Sequence, residues 1–310
     1  MKNNLNQLIK EHGHPDILID YWNTNYTGYA IWGFDEIFIY NNNGCYLNGK
    51  KIKGNPLELC NNILHTWDLS SSSSTYAIGY ISYDIKNDLF PHLKLKEVDN
   101  QTLIWFGKPQ LIKEYNLESS ITLRDLNSYD EFSITREIPN IDTYRKSIKK
   151  IRRYLKLGET YQINYSNPRE YSYKGSIFNL YLHLRDIAKP KNGFYLDTGI
   201  EQLLSVSPEK FFEVKNNIIS TYPIKGTIQR SEDIIEDKKL YEKLKHSSKD
   251  KAEHLMIVDL LRNDLGKVCR YGTVKTKNLY NIKSFETIHH MESEIKGELI
   301  NNISFKNIIE

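Results

Sequence analysis

Short β-branched and aromatic runs share this chain with amphipathic helical stretches, and the two kinds do not alternate regularly. That irregular mixture argues for an α+β fold over a doubly wound parallel sheet. The first part is strand-rich. Gly28–Phe34 and Ile37–Tyr40 have strand composition, Asn41–Gly44 and Leu47–Lys50 punctuate as turns, and Tyr76–Tyr83 returns to strand character. Between them Leu57–Trp67 reads as a short helix and Ser70–Ser74 as a flexible loop. Asp99–Gln101 and Leu117–Ser133 are polar, and the second marks a boundary between a strand-rich region, 1–135, and a second region, 136–310.

Beyond Ile141 the periodicity sharpens. Tyr144, Ile148, Ile151 and Leu155 fall on one helical face, with Asp142 placed as N-cap and Gly158 as terminator. Glu159–Ser166 alternates as a strand, Ile177–Ala188 is helical, and Leu203–Ser207, Phe211–Val214 and Ile218–Tyr222 read as strands. The strongest helix covers Lys249–Leu265, opened by Ser247 with Asp250 in a capping-box arrangement and closed by Gly266. Thr273–Lys275 and Ile295–Leu299 are short strand candidates.

Composition excludes several classes. Lys and Arg number 42 against 39 Asp and Glu, a formal charge of +3, so no concentrated basic face recommends nucleic acid. Cys45, Cys60 and Cys269 have neither zinc-ligand spacing nor an even count, which fits reduced thiols in a cytoplasmic protein. Met1–His14 has no apolar core of a secretory signal, and no apolar run reaches the length of a membrane span.

Five constellations could carry chemistry. Lys225, between Ile224 and Gly226–Thr227 at a strand end, would be nucleophilic if desolvated; it would also read as a lysine whose stem snorkels to water. Glu209, after the strand-ending Pro208, is a general acid or base if its pKa is raised, or an exposed turn glutamate. Asp250 and Glu253 are three apart on the strong helix and together suit a hard cation such as Mg²⁺, although Asp250 equally serves as a cap. Asp259, Arg262 and Asp264 read as structural. His289 and His290 point to opposite faces of a strand, so at most one faces a given site. Gln162 and Asn164 share one face of the presumed 159–166 strand and suit a polar ligand or a solvated surface.

In this order these stretches resemble the chorismate-utilising enzymes: anthranilate synthase component I, aminodeoxychorismate synthase component I, and the isochorismate and salicylate synthases. The resemblance is dense from Ile141 to Leu299 and looser in Gly28–Phe34 and Gly79–Asp84. It implies a fold of two stacked antiparallel β-sheets flanked by helices. Lysine at 225, where anthranilate and isochorismate synthases typically carry alanine, brings the chain nearest to aminodeoxychorismate synthase component I. Gln162 stands where the water-adding members typically have a lysine base. The resemblance implies Mg²⁺-dependent amination of chorismate to 4-amino-4-deoxychorismate, on the route to para-aminobenzoate and folate. Lys225 would form a covalent adduct, Glu209 would protonate the leaving hydroxyl, and His290 would polarise the substrate. Gly226 and Thr227 would shape the pocket, and Glu253 matches a metal-ligand position. Ammonia would come from a glutamine amidotransferase subunit.

Family members continue well past a segment like Gly297–Glu310, with a Gly-Ala-Pro-Lys segment, a Gly-rich carboxylate-binding loop and further Mg²⁺-binding glutamates. None of these occurs here. The resemblance therefore implies a chain whose C-terminal part is missing, with apolar sheet surface exposed in consequence. Two other readings stay open: anthranilate synthase component I, and a non-catalytic remnant that binds a partner subunit.

Overall fold

The computed structural model describes residues 3–22, 26–71, 75–95, 101–118, 131–137 and 140–310. In chain order the elements are α1 (Leu5–His12), β1 (Ile17–Tyr21), β2 (Thr27–Asn41), β3 (Gly44–Leu47), β4 (Lys50–Ile52), α2 (Pro56–Ser70), β5 (Ile78–Ile81), α3 (Lys86–Leu89) and β6 (Thr102–Asn116). Then come β7 (Glu131–Glu137), α4 (Ile141–Lys156), β8 (Arg169–Lys174), α5 (Ile177–Ala188), β9 (Asn192–Asp197), β10 (Gln202–Ser207), β11 (Glu213–Lys215), β12 (Ile218–Thr221) and β13 (Ile224–Gln229). The last are α6 (Ile234–His246), α7 (Ser248–Val268), β14 (Lys275–Ser284), β15 (Ile288–Glu298) and α8 (Phe305–Ile309). The chain forms two compact units, one of 1–121 with 187–310 and the other of 122–186. Most of the boundary expected at 117–133, the serines 72–74 and the polar residues 99–100 lie outside the described residues.

The larger unit carries the α+β architecture expected, with an eight-stranded and a five-stranded sheet whose strands all pair antiparallel. The two strands expected at 28–34 and 37–40 are one, β2, with a register irregularity between Phe34 and Glu36. Its partner along the whole length is β6, where Pro109 sits opposite Phe34 at that irregularity, a place where a missing N–H is tolerated. The Leu47–Lys50 turn is a two-residue hairpin: Asn48 and Gly49 both take positive φ, +49° and +74°, which matches the strand twist. β9, unforeseen in the sequence, inserts between β1 and β10, so strands from 17–116 and from 192–207 share this sheet. Ile17, Ile31, Ile78, Trp105 and Leu196 form its core on one side, and Phe38, Leu57, Cys60, Leu64, Trp67 and Ile104 join the sheet to α2.

In the five-stranded sheet β15 is central. β12 and β13 lie end to end along one flank, interrupted at Pro223, and β14 covers the other. α7 packs here through Val258 and Leu265 against Ile219, Ile295 and Leu299. The expected stop at Gly266 is not used. The helix runs to Val268, because Leu265 and Cys269 are core residues and the Cys269 N–H donates to Leu265 O at 2.9 Å. α6 was also unforeseen: Leu244 is its one buried residue among those described, too little for a visible apolar stripe.

The smaller unit holds the β7–β8 pair, α4 and most of α5. The α4 cap is Asn140, whose side chain accepts from the Thr143 N–H at 2.9 Å; Asp142 lies two residues further on, within the first turn. Gly158 follows the helix with φ +71°, as expected. The strand expected over 159–166 does not form. Tyr161 is 85% exposed and no ladder partner lies alongside, so alternation alone could not make a strand there; pairing begins at Arg169. No helix among the described residues is long and apolar enough to cross a membrane. All three cysteines are free and buried, with the Cys60 thiol pushed up to about 12 by burial.

Candidate active site

The lysine expected at a strand end lies instead inside a distorted strand. In the β13–β15 ladder Ile224 faces Glu292 and Thr227 faces His290, so Lys225 and Gly226 together oppose Met291. This is a β-bulge, a device that re-aims side chains at a chosen point. Gly226 makes it possible in two ways. Its φ is +84°, and a Cβ there would come within 3.1 Å of Asp250 Cβ and 3.3 Å of Leu244 Cδ1. The bulge therefore rests directly on the start of α7.

Glu209 arrives from the other sheet. β10 ends at Ser207, whose Oγ accepts from the Glu209 N–H at 3.2 Å and donates to Glu209 O at 3.0 Å, fixing a tight turn. The carboxylate then accepts from the Ile224 N–H at 3.1 Å, at the foot of the bulge. The residue as a whole is exposed, yet its carboxyl end is crowded. Burial raises its pKa and outweighs the lowering by the Ile224 hydrogen bond and the Lys225 charge. Its charge surroundings also include Glu292 and Lys191.

The two histidines divide as expected. His290 is buried, with Nδ1 2.9 Å from Thr227 Oγ1 and its ring 5.4 Å from that of Phe285; burial lowers its pKa and favours the neutral imidazole. His289 turns to the opposite face, between Ser284 Oγ at 2.8 Å and Asp237 Oδ1 at 3.1 Å. Asp237 also takes the Arg230 guanidinium at 2.8 Å and the Ser231 N–H at 3.0 Å, which hold its carboxyl well below the usual range. This second network ties α6 to the sheet.

Glu292 was missed in the sequence. It follows His290 by two and so shares its face of β15, and that period was the signal. It is 4% exposed and sits between two ammonium groups, Lys191 Nζ at 3.2 Å and Lys283 Nζ.

The pair on α7 is less enclosed. The Asp250 N–H donates to Ser247 Oγ at 3.2 Å, the forward half of a capping box, and Glu253 lies 3.9 Å from the exposed Lys249. Their carboxylates are hard-oxygen donors one turn apart. Among the described residues no three His, Cys, Asp or Glu converge as a ready metal cage. Behind them His254 is buried, with Nε2 2.7 Å from Ser293 Oγ. Gln162 and Asn164 belong to the smaller unit, in an irregular stretch, with Asn164 exposed and Gln162 half-buried; the strand face that was to present them together is absent.

The model of a family described as chorismate binding enzyme matches residues 15–310. Anthranilate synthase component 1 of Saccharolobus solfataricus is 32% identical over 274 residues, 84% of this chain and 65% of that protein. Aminodeoxychorismate synthase component 1 of Escherichia coli is 36% identical over 173 residues, 55% of this chain and 38% of that protein. The chain thus spans less than two thirds of the length of these curated relatives. Among solved structures, anthranilate synthase component I from Streptococcus pneumoniae TIGR4 superposes with a TM-score of 0.75 at 20% identity, covering 92% of this chain and 72% of that one. That likeness establishes the fold.

Proposed function

The chain belongs to the chorismate-binding enzyme family, and from that premise we propose that it aminates chorismate to 4-amino-4-deoxychorismate through Lys225. The observation that carries this reading is the Lys225–Gly226 bulge. It sets a primary amine beside the raised-pKa carboxyl of Glu209, on the strand whose Thr227 holds His290.

The chemistry follows from those groups. Unprotonated, the Lys225 amine forms a bond to the ring while the bond from C4 to its hydroxyl breaks. Glu209, whose pKa burial raises, gives its proton to the departing oxygen, which leaves as water. Ammonia then bonds at C4 and the bond to Lys225 breaks, so one hard substitution becomes two displacements. His290, neutral and anchored through Nδ1, offers its other ring nitrogen to the substrate. Gly226 leaves room beside the amine. Asp250 and Glu253 suit a Mg²⁺ ion bound by one or two carboxylates and otherwise by water and ligand oxygens. Bound there, the ion would neutralise substrate carboxylate charge. Ammonia would be supplied by a glutamine amidotransferase partner.

The test is direct. The chain is incubated with chorismate, ammonium and Mg²⁺, and products are separated by chromatography. 4-Amino-4-deoxychorismate should form, and Lys225→Ala should abolish most of the ammonia-dependent rate. Anthranilate as product would favour the second reading, anthranilate synthase, for which the 32% identity to the Saccharolobus protein speaks. No consumption of chorismate would sink both.

A further inference from the structure

One buried charge near the bulge has no part in the chemistry above. Glu292 is 4% exposed, and a buried carboxylate is costly unless paired. One cation would suffice, yet two are supplied from different places. Lys283 comes from β14, opposite His290 in the ladder. Lys191 comes from the link that enters β9, in the other sheet, and reaches Glu292 Oε2 at 3.2 Å. The same link is tied a second time, Lys189 Nζ to Glu286 Oε1 at 3.0 Å. Lys191 also lies 5.4 Å over the ring of Tyr222, two residues before the bulged strand begins. The link is thus strapped to the hairpin of β14 and β15 where Glu209 crosses from one sheet to the other.

We propose that Glu292 is a positioning residue: clamped by Lys191 and Lys283, it straps the eight-stranded sheet to the five-stranded one and sets the electrostatic setting in which Glu209 faces Lys225. The proposal rests on the reading of Glu209 as the proton donor. The charged groups facing Glu209 are Lys225 from β13, Glu292 from β15 and Lys191 from the link. Glu292 opposes ionisation of Glu209, and Lys191 favours it. Neutralising the two partners must therefore move Glu209 in opposite directions, which a merely structural ion pair would not do.

The experiment is a carboxyl ¹³C NMR titration of the glutamate-labelled full chain, the Glu209 signal being the one lost in Glu209→Gln. Glu292→Gln should lower the Glu209 midpoint, Lys191→Met should raise it, and Lys191→Arg should restore it. In the pH profile of kcat/KM the alkaline limb should follow, downward for Glu292→Gln and upward for Lys191→Met, with kcat moving more than KM. Unmoved midpoints, shifts of the same sign, or Lys191→Arg behaving as Lys191→Met would overturn the proposal. If Glu292→Gln does not fold, the Lys191→Met and Lys191→Arg pair decides it. Because the titration needs no turnover, a wild-type chain that left chorismate untouched, with opposite shifts in the two variants, would sink the aminating function and support the strap.

Discussion

Gly226 is the residue on which the site's geometry turns. Alanine there would hold a side chain at φ +84° against Asp250 and Leu244, at a cost of about 1–3 kcal/mol. Denaturant unfolding of Gly226→Ala should show that loss, together with a fall in the Lys225-dependent rate. Glu209 makes the opposite bargain. Its raised pKa means that folding favours the protonated carboxyl, so its contribution is present at low pH and is lost as pH climbs past the ordinary carboxylate range towards the raised folded value. Glu209→Gln should therefore lose less stability than wild type between pH 4 and pH 8 in thermal melts, while kcat drops by about 10²–10⁴. Lys225, Glu209 and His290 were singled out through the family resemblance, because each local pattern alone fitted a solvated lysine, a turn glutamate and a satisfied histidine equally well. Lys191 and Glu292 were not. They are 101 residues apart, and a lysine or glutamate carries no local mark of burial when its partner is that remote in sequence.

Helices with a visible apolar period were read, α4 among them although none of its residues is buried, whereas α1 was missed although Leu5 and Leu8 are core residues. The α5 limits were foreseen residue for residue, and α2 was placed within three residues at its far end. α6 escaped because its charged residues mask the one buried leucine. β6 escaped because Gly107, Lys108 and Pro109 interrupt its pattern at the point where it needs an irregularity. α7 matters most, since the bulge leans on its first turn. Ser247 caps that turn through the Asp250 N–H, and Ser247→Ala should cost about 1 kcal/mol. Faster hydrogen exchange confined to the first turn of α7 would locate the effect; uniform acceleration along the helix would contradict it.

The pairing of β9 with β1 governs the molecule as a whole, and single-sequence patterns could not show it, because strand order depends on contacts and not on local propensity. A chain ended at residue 186 would leave one edge of β1 without its partner. It should sediment as aggregate, and co-expression with 187–310 should return β-sheet material to the supernatant. The fold class itself was legible, since it needed only the mixture of periods along the chain. The same pairing also has a consequence in time. About 170 residues lie between Tyr21 and Asn192, so at about 5–20 residues per second a ribosome needs about 10–30 s to make the strand that closes β1. For that interval the growing chain carries an open edge, and the rate of translation across 22–191 becomes a determinant of how much protein reaches the native state.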